Sequence, residues 1–169
     1  MIKAGILGGG QLGRMLLQAA ANYPVETHVL EKDPQCPSAH LCHHFKQGDI
    51  TRYEDVLAFG NGLDVLTIEI EQVNVEALET LEQQGVTIIP RPATLRIIRD
   101  KIKQKQFYAE QQVPSSPFLV TQNRAELAQH ADFLPAEAAD TLRGYRDAGI
   151  RVAYHPPMVD QNPDRKSVV

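Results

Sequence analysis

The feature that most constrains this chain is the run Gly8-Gly9-Gly10-Gln11-Leu12-Gly13, which follows a short apolar segment and opens an amphipathic one. Residues 2–7 (Ile-Lys-Ala-Gly-Ile-Leu) read as a buried strand that stops at three consecutive glycines. Beyond the turn, Leu12, Met15, Leu16, Ala19 and Ala20 recur at i, i+3, i+4, i+7 and i+8. That spacing marks one face of a helix, ending near Asn22-Tyr23-Pro24. Thr27 to Leu30 read as the next strand, halted by Asp33-Pro34. Residues 2–33 therefore predict a βαβ unit with its two strands parallel.

The alternation continues downstream. Tyr53 to Phe59 predicts a short helix, Asp64 to Ile70 a strand, Val75, Leu78 and Leu81 a helix, and Val86 to Ile89 a buried strand closed by Pro90. The series predicts an α/β fold: a Rossmann-like parallel sheet with helices on both faces, over residues 1–90. Pro90-Arg91-Pro92 reads as a hinge, with Pro92 at the first position of one long helix carrying Leu95, Ile98, Ile102 and Phe107 inward. Val113 to Pro117 breaks that pattern, and Phe118 to Val120 is a short strand. Asn123 with Glu126 resembles a capping box, and Phe133-Leu134-Pro135-Ala136 leads towards another strand. No strand pattern follows. Residues 91–136 thus form a second segment. In 137–169 the strong core formers reduce to Leu142, Ile150, Val152, Val159, Val168 and Val169, which predicts a poorly ordered tail.

Composition narrows the partners. Lys plus Arg total 17 against 21 Asp plus Glu, a formal charge of -4, which lacks the basic footprint of a nucleic-acid-binding protein. No apolar run approaches the roughly 18 residues of a membrane span, and the glycines arrive too early for a signal peptide. Two cysteines, Cys36 and Cys42, are too few for a disulfide scaffold. The expectation is a cytoplasmic protein with neither nucleic-acid nor membrane partners.

A Gly-x-Gly-x-x-Gly turn between strand and helix lets backbone approach a ligand, and the helix start offers N–H groups and partial positive charge to a phosphate. Glu31 and Asp33 stand where an acid meets a ribose hydroxyl in dinucleotide-binding proteins. A turn serving helix–sheet packing alone fits the same residues. His40, Cys42, His43 and His44, near Cys36, invite a zinc reading, but the spacing matches no standard ligand pattern. Adjacent His43 and His44 on a strand would also point to opposite faces, so no metal site is assigned.

Gly5 to Leu16 (Gly-Ile-Leu-Gly-Gly-Gly-Gln-Leu-Gly-Arg-Met-Leu) closely resembles the opening of the N5-carboxyaminoimidazole ribonucleotide synthetases, ATP-grasp enzymes of purine biosynthesis. Further matches follow in order. They are Asp33-Pro34 with Pro37 and Ala39, Gly48-Asp49, Leu66 to Asn74, Pro90-x-Pro92 with Asp100-Lys101 and Lys105-Gln106-Phe107, Val113-Pro114 and Phe133 to Ala136. The resemblance covers roughly residues 1–136. It implies a pre-ATP-grasp, substrate-side domain followed by the start of an ATP-grasp domain. It further implies an ATP-dependent ligase that makes carboxyphosphate from bicarbonate and passes the carboxyl group to the exocyclic amine of 5-aminoimidazole ribonucleotide. Ribonucleotide binding would fall to Gly8, Gly9, Gly10, Gln11, Leu12, Gly13, Glu31, Glu69 and Glu71, and ATP contact to Lys101. Mg²⁺ would bridge the ATP phosphates, and the family's habit implies a homodimer. On residues alone, Lys101 and Lys105 also read as a solvated helix face.

The chain then departs from the family. Where the resemblance calls for a phosphate-binding lysine it has Ala139, and where a Thr-x-x-Gly-Gly-Tyr-Asp-Gly-x-Gly loop belongs it has Arg143-Gly144-Tyr145-Arg146-Asp147-Ala148-Gly149. Arg and Asp side chains do not suit a loop that must bring backbone against phosphate. Catalytic incompleteness is the expectation. Two other readings stand beside it: an NAD(P)-binding oxidoreductase domain, on the glycine motif and Glu31, and a non-catalytic ribonucleotide-binding or dimerisation module. Gln11-Leu12 and Asp100-Lys101 count against the oxidoreductase. Codons for Ala136 to Thr141 can be chosen so that another phase spells Gln-Lys-Leu-Arg-Thr, which predicts a frameshift just after Ala136. Sequencing the coding DNA should reveal Gly-Gly-Tyr-Asp-Gly and later ATP-grasp carboxylates in a second frame; their absence refutes the frameshift.

Overall fold

Strands with both faces covered need apolar side chains on both faces, and β1 (Ile2–Leu7) and β2 (Val25–Glu31) show how this chain supplies them. In the computed structural model, which describes residues 1–116, 118–121 and 152–154, neighbouring residues on each strand enter different cores. Leu7 and Leu30 join a large cluster with Val56, Phe59, Leu66, Leu78, Leu81 and Leu95. Ile6 and Val29 join a smaller one with Leu17, against which Cys42 and Phe45 pack.

The chain runs β1, α1 (Gln11–Ala20), β2, β3 (His44–Gln47), α2 (Tyr53–Gly60), β4 (Val65–Ile68), α3 (Val75–Gln83), β5 (Thr87–Ile89), α4 (Pro92–Ile98), α5 (Lys101–Glu110), β6 (Leu119–Thr121) and β7 (Val152–Tyr154). The first five strands form one parallel sheet in the order β3-β2-β1-β4-β5. The cluster memberships put α1 on one face and α2, α3 and α4 on the other. This is the α/β arrangement expected from the sequence, with β3 as an edge strand that its short, half-polar His-Phe-Lys-Gln run did not announce.

Helix α1 departs from its apolar spacing. Its buried residues are Gly13 and Leu17, whereas Leu12, Met15 and Leu16 are 64%, 62% and 44% exposed. The reason lies at Gly13: a Cβ there would come within 3.0 Å of both the Gly8 carbonyl oxygen and the Ser38 Oγ. Close approach of the helix start to the turn forces the residue without a side chain inward, and Leu17 follows four residues later on the same face. The apolar stripe is left facing out.

The first compact unit is Met1–Arg99, so it includes α4 and runs past the boundary expected at residue 90. Leu95 is fully buried, and the Arg99 guanidinium donates to the Val73 carbonyl at 2.9 Å. Arg96 donates to Glu79 at 2.6 and 2.8 Å and to Glu76 at 3.2 Å; the hydrogen bonds from Arg96 hold the Glu79 carboxyl below the usual carboxylate range. The single long helix expected from Pro92 is instead two. Asp100 starts the second, its carboxylate accepting from the Ile102 and Lys103 amides at 3.0 and 3.2 Å, as an N-cap does. Ile98 and Ile102 are half-buried and Phe107 is exposed, so the inward face expected over this stretch is not formed as one stripe.

The second unit is Asp100–Val169. In it β6 pairs antiparallel with β7, Leu119 opposite Tyr154 and Thr121 opposite Val152. A strand therefore forms within the stretch expected to lack order. The expected helix after Asn123, the approach Phe133–Ala136 and the departures at Ala139 and Arg143–Gly149 lie outside the described residues. The rotation of α1 yields a test by urea unfolding. Leu17→Ala should cost about 2–5 kcal/mol, while Leu16→Ala and Met15→Ala should each stay within about 0.5 kcal/mol.

Candidate functional site

In an open parallel sheet the loops leaving the carboxyl ends of the strands part at the point where strand order reverses, and a crevice opens there. Here β1 lies between β2 and β4, so the turn after β1 faces the strand ends that carry Glu31 and Glu69. The structure brings these sequence-predicted residues together.

Gly8 holds φ +106, a conformation natural to glycine, and its amide donates to the Leu30 carbonyl at 3.0 Å. The following amides point at carboxylates. Gly9 N–H donates to Glu31 Oε2 at 3.0 Å, Gly10 N–H to Glu69 Oε2 at 2.8 Å, and Leu12 N–H to Glu69 Oε1 at 3.2 Å. Glu31 Oε1 also accepts from the Lys32 and Asp33 amides at 2.7 and 3.3 Å. From below, Ser38 N–H donates to the Gly9 carbonyl at 3.0 Å, and the buried Ser38 hydroxyl to the Gly10 carbonyl at 3.4 Å.

The absence of a Cβ at Gly10 is used by a side chain of the protein itself, since a Cβ there would come 2.5 Å from Glu69 Oε1. Helix α1 has Gly10 at its N-cap, no side-chain cap of its own and no acid in its first turn. Glu69, contributed from the end of β4, supplies the negative charge that the helix start attracts. This corrects the expectation of open amides awaiting a phosphate: those of Gly9, Gly10 and Leu12 already carry carboxylates, and an incoming phosphate would meet like charge.

The turn therefore presents acceptors. Each carboxylate has about four lone-pair sites, and the bonds above leave some of them on Glu31 and Glu69 able to accept from hydroxyl or amine donors. Gln11 and Leu12 are exposed at the first turn of α1. Glu71 is half-buried two residues beyond Glu69, and no hydrogen bond joins its side chain to the glycine amides. Asp33 turns away, its carboxylate accepting from the Gln35 amide at 2.9 Å. Lys101 belongs to the second unit, where it is exposed and donates to Gln104 Oε1 at 3.4 Å. Sequence reasoning missed Ser38, whose signal is faint: one small polar residue between an exposed Pro37 and a half-buried Ala39.

Comparison with known proteins gives the family. Residues 1–99 match the family described as "Ribonucleotide synthetase preATP-grasp domain". The chain is 41% identical over 118 residues to "Phosphoribosylaminoimidazole carboxylase, chloroplastic" of Vigna aconitifolia, covering 70% of this chain and 21% of that protein. It is 32% identical over 157 residues to the "N5-carboxyaminoimidazole ribonucleotide synthase" of Pseudomonas aeruginosa, covering 92% of this chain and 43% of that one. A crystal structure of carboxyaminoimidazole ribonucleotide synthase from Aspergillus clavatus, complexed with ATP, superposes with a TM-score of 0.70 at 32% identity, over 80% of this chain and 36% of the other. The chain thus spans about a fifth to under half of the length of these relatives. The Pseudomonas match necessarily extends past residue 136, which counts against a tail read wholly out of frame. On the match over residues 1–99 and the sheet those residues form, the chain belongs to the ribonucleotide synthetase pre-ATP-grasp family.

Proposed function

We propose that this chain is the ribonucleotide-side part of an ATP-grasp carbon–nitrogen ligase that carboxylates 5-aminoimidazole ribonucleotide in purine biosynthesis. The observation that carries the reading is the pair of carboxylates, Glu31 and Glu69, fixed on the glycine turn at the sheet's switch point. Such a turn suits the donor groups of a ribonucleotide, namely its sugar hydroxyls and ring amine, better than a phosphate. The ribonucleotide would lie along Gly8–Gly13 with those donors towards Glu31 and Glu69, Glu71 close by, and its own phosphate directed elsewhere.

ATP and bicarbonate would supply carboxyphosphate, with ADP released; transfer of the carboxyl group to the exocyclic amine then releases phosphate and gives N5-carboxyaminoimidazole ribonucleotide. The relatives' names support the substrate, and the ATP complex of the Aspergillus protein supports the nucleotide. The glycine turn is not a fit for ATP phosphates or their Mg²⁺, because its amides are engaged and the groups presented there are anionic. Lys101, in the second unit, is the described residue assigned to ATP, with Mg²⁺ accompanying the phosphates. A homodimer is part of the proposal, resting on the family alone.

Calorimetric titration of the 169-residue chain with 5-aminoimidazole ribonucleotide tests the assignment. Binding is expected, and Glu69→Gln should weaken it by about tenfold or more, the loss expected for a charge-assisted hydrogen bond. Thermal unfolding of the variant separates a lost contact from a lost fold. Micromolar binding of NADH with none of the ribonucleotide would replace this reading by the oxidoreductase one.

A further inference from the structure

At the opposite end of β2 from Glu31, three ligand-type side chains meet on one face of the sheet. Glu26 and His28 are two residues apart on β2 and so project to the same side. His44 of β3 stands in register with His28, which brings its side chain to that side as well. Glu26 Oε1 lies 3.1 Å from His28 Nε2 and 3.0 Å from His44 Nε2. The two imidazoles stack with centroids 4.5 Å apart and planes 22° from parallel. All three ligand atoms fall within 4.8 Å of one another.

We propose that Glu26, His28 and His44 form a binding site for a divalent transition-metal ion of the zinc, nickel or copper class. Two imidazole nitrogens and one carboxylate oxygen are a ligand set such ions accept, and two imidazoles disfavour Mg²⁺. The spacing also agrees. Ligand atoms on a tetrahedral zinc, with bonds near 2.0–2.1 Å, stand about 3.3 Å apart, close to the two nitrogen–oxygen separations observed. The side chains are 28%, 18% and 58% exposed for Glu26, His28 and His44, so the remaining position opens to water.

The sheet register explains why spacing in the sequence concealed the site. His43, the neighbour of His44, faces the other way: its Nδ1 lies 2.8 Å from the Thr27 hydroxyl and 3.1 Å from the Thr27 amide. His40 is exposed in the loop before β3 and does not belong to the group of ligand atoms formed by Glu26, His28 and His44. Glu26 is the ligand that no local motif contains. Lys3, in register with Glu26 on β1, is the nearby cation that opposes metal binding and limits its tightness. A metal here would tie edge strand β3 to β2. The site stands apart from the glycine turn, since His28 and Glu31 are separated by about 10 Å of strand at 3.3 Å per residue. It neither needs nor tests the ligase assignment.

Titration of the metal-free 169-residue chain with Zn²⁺ alone, followed by calorimetry, should show one ion bound per chain. His28→Ala and His44→Ala should each weaken binding at least tenfold, and His40→Ala should leave it unchanged. Zn²⁺ should raise the thermal midpoint of the parent chain and not that of His44→Ala. With Cu²⁺, electron paramagnetic resonance should show coupling to two imidazole nitrogens, lost to one in His44→Ala. His44 is on an exposed edge, and circular dichroism verifies that its variant folds. Absence of saturable Zn²⁺ binding up to millimolar concentration overturns the proposal, as does binding that survives His44→Ala or vanishes in His40→Ala.

Discussion

The grip of the Glu69 carboxylate on the amides of Gly10 and Leu12 is the contact on which the rest of the glycine turn depends. It connects residues 59 positions apart in the chain and joins the end of β4 to the beginning of α1. A helix start leaves amides without partners inside the helix, and the partial positive charge there favours a carboxylate that accepts from them. Most helices answer with a nearby Ser, Thr, Asp or Asn. Gly10 cannot, so the cap comes from across the sheet. Glu31 does the same for Gly9 from β2, and Ser38 holds the turn's carbonyls from beneath.

That arrangement changes what a glycine-rich turn signifies. In phosphate-binding loops the glycines clear space for an external anion. In this chain the cleared space at Gly10 is filled by an internal one, and the turn's polarity towards a ligand is reversed: it accepts hydrogen bonds where a phosphate loop donates them. The same three glycines, read along the sequence, suit either use. The difference is settled by which residue ends β4, and nothing local to the turn records that.

Much of the architecture was legible in the residues because each of four strands holds a short apolar run, Ile6-Leu7 in β1, Val29-Leu30 in β2, Val65-Leu66 in β4 and Ile88-Ile89 in β5, with helical spacing between them. Edge strand β3 escaped notice, since an edge needs no continuous apolar run and His44-Phe45-Lys46-Gln47 offers one half-buried residue. The division of α4 from α5 at Asp100 was hidden by an apolar spacing that carries across the break, although the aspartate itself is an ordinary helix-start signal. The face of α1 was misread for a physical reason: periodicity weighs large side chains, whereas contact distance at Gly13 sets the rotation. Of the expected site, Gly8–Gly13, Glu31 and Glu69 converge, and their partnership could be anticipated only with the strand order in hand.

The two ends of strand β2 carry different chemistry. Glu31 and Thr27 belong to one side of the pleat, Glu26 and His28 to the other, and the count between them is what keeps each at its own task. Removing a single residue midway along the strand would invert every side chain on one half relative to the other. The carboxylate beneath Gly9 or the imidazole beside His44 would then swing through the sheet. The length of β2 thus acts as a ruler, and its tolerance for insertion or deletion is set by parity.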